Sequence, residues 1–211
     1  MSAAAESLQA TLIERIAARD RSGAVSAALA AVTGGEITIP DLYDLLATLL
    51  TDVGASWQAG ETEVWQEHFA TAVVRTIIEA SHPLVAERAA APNGRAAVFA
   101  TPPEEYHDLG LRMLADRFAL AGWTAHLLGA SVPAGELAAA VGALGADAVV
   151  LSAYTHFHRL ALRPYIDELL ASHPALRVWV GGAAFAREHE CWPDEMMLDP
   201  HAIPTLADGM V

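Results

Sequence analysis

From the N-terminus to about residue 90, apolar positions recur three and four apart, the period of a helix packed on one side. "SLQATLIERIAARD" places Leu8, Leu12, Ile13 and Ile16 on one face. "SGAVSAALAAVTGG" ends in a glycine pair that stops a helix. "TIPDLYDLLATLLTDVGASW" opens with Pro40 near its first turn and carries Leu42, Leu45, Leu46, Leu49, Leu50 and Val53. A fourth helix is expected between Gly60 and Pro83, with a further short one over residues 83–91. In that fourth helix Val64, Glu67, His68, Thr71, Val74, Arg75 and Ile78 follow one stripe, expected to face inward. Short loops between long helices point to an antiparallel bundle.

After "APNG", residues 91–94, the pattern changes. Short apolar runs at 95–101, 123–129, 147–153 and 177–182 read as strands, and 196–200 as a fifth. Helices are expected between them, at about 106–121, 134–144 and 159–172, with short ones after the fourth strand and at the C-terminus. Strands alternating with helices give a parallel sheet covered on both faces. The expected fold is thus α/β. A helical-bundle cap over residues 1–91 precedes a five-stranded, flavodoxin-like or Rossmann-like domain over residues 95–211.

Composition narrows the function classes. The 211 residues are 54% hydrophobic and 18% charged, enough to bury a core. A net charge of −14 with scattered basic residues disfavours direct nucleic-acid contact and anionic membrane surfaces. No apolar run is long enough for a membrane span, and no secretory leader is expected. The single cysteine, Cys191, forms no internal disulfide or thiolate cluster and fits a reducing, cytoplasmic setting.

The chemistry-bearing positions lie at expected strand ends, where open parallel sheets bind ligands. His107 leaves the first strand in "TPPEEYHDLGLRML". By residue type alone it serves as a base, a metal ligand or a polar cap. Ser152 and Tyr154 follow the third strand, and Gly181 and Gly182 the fourth. Their plain structural roles are a strand-end polar group and a tight turn.

Glu105, His107 and Gly110, spaced E-x-H-x-x-G with Asp108 inside, resemble the D-x-H-x-x-G signature of cobalamin-binding domains. The resemblance implies that His107 ligates cobalt from below, displacing the cofactor's dimethylbenzimidazole. It implies that Glu105 bonds the other ring nitrogen, fixing its tautomer and raising its basicity. Gly110 then leaves room for the nucleotide tail, Ser152 lines its slot, and Gly181 and Gly182 admit it beside the backbone. Tyr154 stands where family members carry Leu or Thr, a departure in that slot.

Trp57, nine further residues, then Glu67-His68 resembles the signature of the CarH type of cobalamin-dependent photoreceptor. The resemblance implies that Trp57 packs over the upper axial group, with Glu67 and His68 lining a 5′-deoxyadenosyl pocket. Adenosylcobalamin is the implied cofactor, with methylcobalamin as the other candidate. Without it, Trp57 reads as a core aromatic and Glu67-His68 as a hydrogen-bonded pair. In CarH-type members a histidine directly after the tryptophan ligates cobalt from above once light has removed the adenosyl group; here Gln58 stands there, so that second ligation is either absent or served by another residue, with His68 a candidate and His156 and His158 either candidates or solvent-facing loop histidines. The implied function is a light sensor and not an enzyme. Such members usually begin with a MerR-type DNA-binding domain, whereas this chain begins at the bundle. The expected output is therefore a transcriptional regulator, another signalling protein or self-association. The rival function is a corrinoid methyl carrier of a methyltransferase system, which needs an open upper face.

Overall fold

A computed structural model describes residues 2–185 and 192–203. Cys191 and the expected C-terminal helix lie outside the described residues. The chain divides into two compact units, Met1–Glu87 and Arg88–Val211.

The first unit is four helices: α1 (Ala3–Ala17), α2 (Arg21–Thr33), α3 (Ile39–Gln58) and α4 (Val64–Arg88). Side chains at their starts satisfy backbone donors that a helix leaves free. Ser2 accepts from the Ala5 N–H, and Asp20 from that of Gly23. Thr38 and Asp41 form a reciprocal capping box, with Pro40 in the first turn. Thr38→Ala is expected to cost about 1 kcal/mol, read as a lower denaturant midpoint with an unchanged slope.

Leu8, Leu12, Leu42, Leu45, Leu46 and Leu49 are buried as their spacing requires, while Leu50 and Val53 are only half-buried and Ile13 is exposed. In α4 the buried stripe is Ala70, Val73, Val74, Ile77, Ile78, Ser81 and Val85. The expected inward face holds at Val74 and Ile78 and is corrected at its N-terminal end, Val64 and the Glu67-His68 pair. Val64 is 53% exposed and the His68 side chain 73%. The reason is chemical: alanine and aliphatic residues one position away offer an apolar seam without desolvating a carboxylate and an imidazole. No separate helix begins at residue 83. Pro83 sits inside α4, whose tertiary packing, including buried Val85, carries it past the missing N–H.

The second unit alternates as expected: β1 (Ala96–Ala100), α5 (Leu109–Leu120), β2 (Thr124–Gly129), α6 (Ala134–Leu144), β3 (Ala148–Ser152), α7 (His156–Ser172) and β4 (Arg177–Gly181). All pairings are parallel, in the order β2-β1-β3-β4. Val98, Val149 and Val178 lie in register across β1, β3 and β4 and face Leu137, Leu162 and Leu169 of the helices on one side. Ala97, Phe99, Val150 and Trp179 face Leu111 and Phe118 of α5 on the other. Both faces are apolar, which is why the central strands β1 and β3 read as nearly unbroken hydrophobic runs, while the edge strand β2 carries Thr124 and His126 and is only partly buried.

The sheet has four strands among the described residues, not five. Residues 196–200 form a single parallel bridge, Met197 to Val180, after a short 3-10 turn. Pro193 and Pro200 bracket this segment and deny the ladder donors at both ends. Helix α5 starts at Leu109, not near 106, so His107 belongs to the loop. Helix α7 starts at His156, three residues earlier than expected, because Thr155 caps it by accepting from the His158 N–H.

Candidate functional site

The strand order reverses between β1 and β3, since β1 runs on to β2 on one side while β3 lies on its other side. Loops leaving β1 and β3 open together at that switch point, the usual ligand crevice of such sheets. The β1 loop is pinned from beneath. The Thr101 hydroxyl donates to the Glu105 carbonyl at 2.6 Å, and Ser131 N–H reaches the Thr101 oxygen at 2.9 Å. The Ser131 hydroxyl accepts from Glu104 N–H, which holds Glu104 in a left-handed conformation, φ 65°.

These bonds set a fully buried carboxylate at the centre of the loop. Glu105 Oε1 accepts from His107 N–H at 3.0 Å and faces His107 Nδ1 at 2.6 Å. Oε2 accepts from Tyr154 N–H at 2.8 Å and lies 2.8 Å from His158 Nδ1. Burial pushes the Glu105 carboxyl up, but the N–H groups of Tyr154 and His107, together with the His107 imidazole, outweigh it and hold it below the ordinary range. An ionised carboxylate only accepts, so His107 carries a proton on Nδ1 and keeps Nε2 as the ring nitrogen clear of the carboxylate. The His107 side chain is 56% exposed and stacks on the Tyr154 ring, 4.1 Å between centroids at 17°.

The loop thus brings Glu105, His107 and Tyr154 together. Asp108 is buried beside them but binds Arg112 Nε at 2.9 Å, an i,i+4 pair at the start of α5. A Cβ built on Gly110 or Gly181 meets nothing within 4 Å, so both glycines border open space. Gly182 is required by the chain itself: with φ +103°, its Cβ would lie 2.4 Å from the Ala153 carbonyl and 2.7 Å from Ser152 Oγ. Ser152 pairs with Gly181 at the end of the β3–β4 ladder and is not a Glu105 contact.

His158, read from sequence as a loop histidine and a candidate upper donor, is instead the third residue of α7, 14% exposed, against the carboxylate that also holds His107. It therefore sits with the expected lower ligand, not opposite it. The Thr155-x-x-His158 spacing, a cap followed by an N3 polar residue, is the sequence feature that marks this position.

In the helical unit, Trp57 near the end of α3 is 46% exposed and so is not a core aromatic. Glu67 bonds His68 Nδ1 through one oxygen and accepts from the Thr71 hydroxyl at 2.7 Å through the other. A separate cavity of ≈ 340 Å³ is lined by Ile13, Leu49, Val53, Trp65 and Phe69, with Arg19 over the Trp65 ring at 5.3 Å. Trp57, Glu67 and His68 do not line it.

The donor set suits a metal carried in a macrocycle. Among the described residues no three His, Cys, Asp or Glu side chains converge to hold a bare ion. One imidazole, with a fixed tautomer and space beside Gly110 and Gly181, matches a single axial ligand. No helix among the described residues is long and apolar enough to cross a membrane.

Two family models, each described as a B12 binding domain, match residues 95–194 and residues 8–80. The HTH-type transcriptional repressor CarH of Myxococcus xanthus is 41% identical over 150 residues, 70% of this chain and 48% of that protein. The repressor CarA of the same organism is 29% identical over 144 residues, 68% and 47% respectively. The chain spans about half the length of the curated relatives it matches. A monomethylamine corrinoid protein of Methanosarcina barkeri shares the fold, with a TM-score of 0.74 over 89% of this chain and 88% of that one at 19% identity.

Proposed function

The chain is a CarH-like cobalamin-binding protein, and from that premise we propose that it is a light sensor loaded with adenosylcobalamin, with methylcobalamin as the second candidate. The observation that carries the cobalamin end of this reading is the His107 imidazole, tied through Nδ1 to a buried carboxylate and open at Nε2. His107 is the lower cobalt ligand and Glu105 sets its tautomer. Gly110, Gly181 and Gly182 flank the path of the nucleotide tail, with Asp108, Ser152 and Tyr154 around them. The light-sensing end is supported by the CarH identity and by a tryptophan held half-exposed rather than in the core.

An alkylcobalamin supplies a weak cobalt–carbon bond that absorbs visible light. The protein's part is to hold the cofactor and to respond when its upper group is lost. Trp57, Glu67 and His68 are the residues assigned to that group. A switch requires different contacts in the two states, and these three exposed or half-buried side chains are available to make them. The net charge of −14 disfavours direct contact of this chain with nucleic acid, so the output passes to a protein partner or a second copy.

The test loads the chain in the dark with adenosyl- or methylcobalamin, records the visible spectrum, illuminates, and follows mass by light scattering and shape by small-angle X-ray scattering. The expected result is loss of the alkyl spectrum together with a change in assembly, shape or partner binding. Photolysis that leaves all three unchanged overturns the sensor reading and favours a methyl carrier.

A further inference from the structure

We propose that the cavity in the helical unit is a second ligand site, one that takes a free α-amino acid with an aromatic or branched apolar side chain. The site lies wholly within Met1–Glu87 and does not depend on the cobalamin reading.

Three helices wall this cavity of ≈ 340 Å³. Ile13 and Ile16 come from α1, Leu49 and Val53 from α3, and Trp65 and Phe69 from α4. Small-molecule sites span about 300–1,000 Å³ and combine apolar walls with a few placed polar groups. Most polar groups on this lining are already engaged. The Ser56 and Thr62 hydroxyls lie 2.7 Å apart, and Gln66 Oε1 accepts from Glu63 N–H at 2.9 Å. Two opposite charges are not. The Asp52 carboxylate and the Arg19 guanidinium both line the cavity, and among the described residues neither makes a hydrogen bond or an ion pair.

Arg19 is held there by its backbone. Helix α1 closes with Arg19 N–H bonded to the Ile16 carbonyl and Asp20 N–H bonded to that of Arg15. Such a closing turn sets a left-handed residue just past the helix, a place that favours glycine. Arg19 occupies it at φ 61°, a conformation that disfavours any residue with a Cβ. Its guanidinium lies 5.3 Å over the Trp65 ring and not against a carboxylate. The adjacent acid, Asp20, is taken by Arg15 at 2.8 Å. A lone anion in the cavity would meet Asp52 uncompensated, and a lone cation would meet Arg19. A zwitterion gives each charge its complement, with its ammonium toward Asp52, its carboxylate toward Arg19 and its side chain among Trp65, Phe69 and Leu49.

Three compounds of one shape test this: L-phenylalanine, 3-phenylpropionate without the ammonium, and 2-phenylethylamine without the carboxylate. The full chain is kept dark with adenosylcobalamin, and the indole N–H of Trp65 is followed by proton–nitrogen NMR as each is added. Phenylalanine is expected to shift that signal with a dissociation constant of about 1 mM or below, and each truncated compound to bind about tenfold more weakly. Each substitution should cancel one preference. Arg19→Gly suits the left-handed backbone, so it removes the guanidinium and keeps the helix end. It should abolish the preference over phenylethylamine and retain the preference over phenylpropionate. Asp52→Asn should do the reverse. Truncated compounds that bind as tightly as phenylalanine, or preferences that survive both substitutions, overturn the proposal. So does an unmoved Trp65 signal with phenylalanine, leucine and tryptophan each at about 10 mM. If none of them binds and Ile13→Glu lowers the mass in light scattering, the cavity belongs to a second copy of the chain and the proposal is likewise overturned.

Discussion

In His107→Ala the bound cobalamin is expected to show a changed visible spectrum, with water or its own dimethylbenzimidazole below the cobalt, and to bind far more weakly. Among the described residues of these loops the other imidazoles are engaged, His156 Nδ1 with Arg159 Nη2 at 2.9 Å. Tyr154 gives the carboxylate its backbone N–H and gives His107 its ring face. His158 turns its Nδ1 to the same carboxylate. The substitution also leaves Glu105 buried with Oε1 holding only a backbone partner, which penalises the loop independently of cobalt. Loss of an outer partner costs about ten- to hundredfold in metal affinity, and loss of the ligand itself should exceed that range. Titration of the apoprotein with adenosylcobalamin in the dark, followed by absorbance, gives both quantities. A spectrum and affinity equal to those of the parent would remove His107 from the site.

Phe118→Ala is expected to destabilise the sheet unit by about 3–5 kcal/mol. Phe118 is fully buried on α5, with ring centroids 5.1 Å from Phe99, 5.3 Å from Trp123 and 5.9 Å from Trp179. The substitution therefore opens a cavity among three rigid rings that close in poorly, and it also removes edge-to-face contacts. Chemical denaturation followed by tryptophan fluorescence reads the loss directly in a background where Trp57, Trp65 and Trp192 are replaced by phenylalanine, so that the signal comes from Trp123 and Trp179. A loss below about 1 kcal/mol would mean that the aromatic cluster repacks, contrary to its burial.

How much of this was legible beforehand depended on the range of the interactions involved. The change from helical to alternating grammar near residue 91 is local, and the units and the first four strands follow from it. The pairing of Glu105 with His107 is also local, two residues apart, and a short motif sufficed to locate it. Tertiary facts were out of reach. The fifth strand fails because two prolines frame residues too few to ladder. The inward face of α4 keeps the expected Val74 and Ile78 but adds Ala70, Val73 and Ile77 beside them, leaving Val64 and His68 outside it. Tyr154 looked like a flaw in the nucleotide slot. In the fold its ring stacks on His107 and its N–H binds Glu105, across 49 residues of sequence.

That separation bears on when the proposed ligand site comes into being. Glu105 is translated early in the second unit, yet both partners of its Oε2 belong to the junction of β3 and α7. Closing so long a loop has to precede the reward of the contact. A nascent or half-folded chain therefore carries Glu105 beside His107 without the distant partners that fix its second oxygen. Only a chain whose sheet has assembled through β3 and into α7 holds the Glu105 carboxylate with both oxygens partnered, so the proposed cobalt ligand doubles as a checkpoint on completed folding.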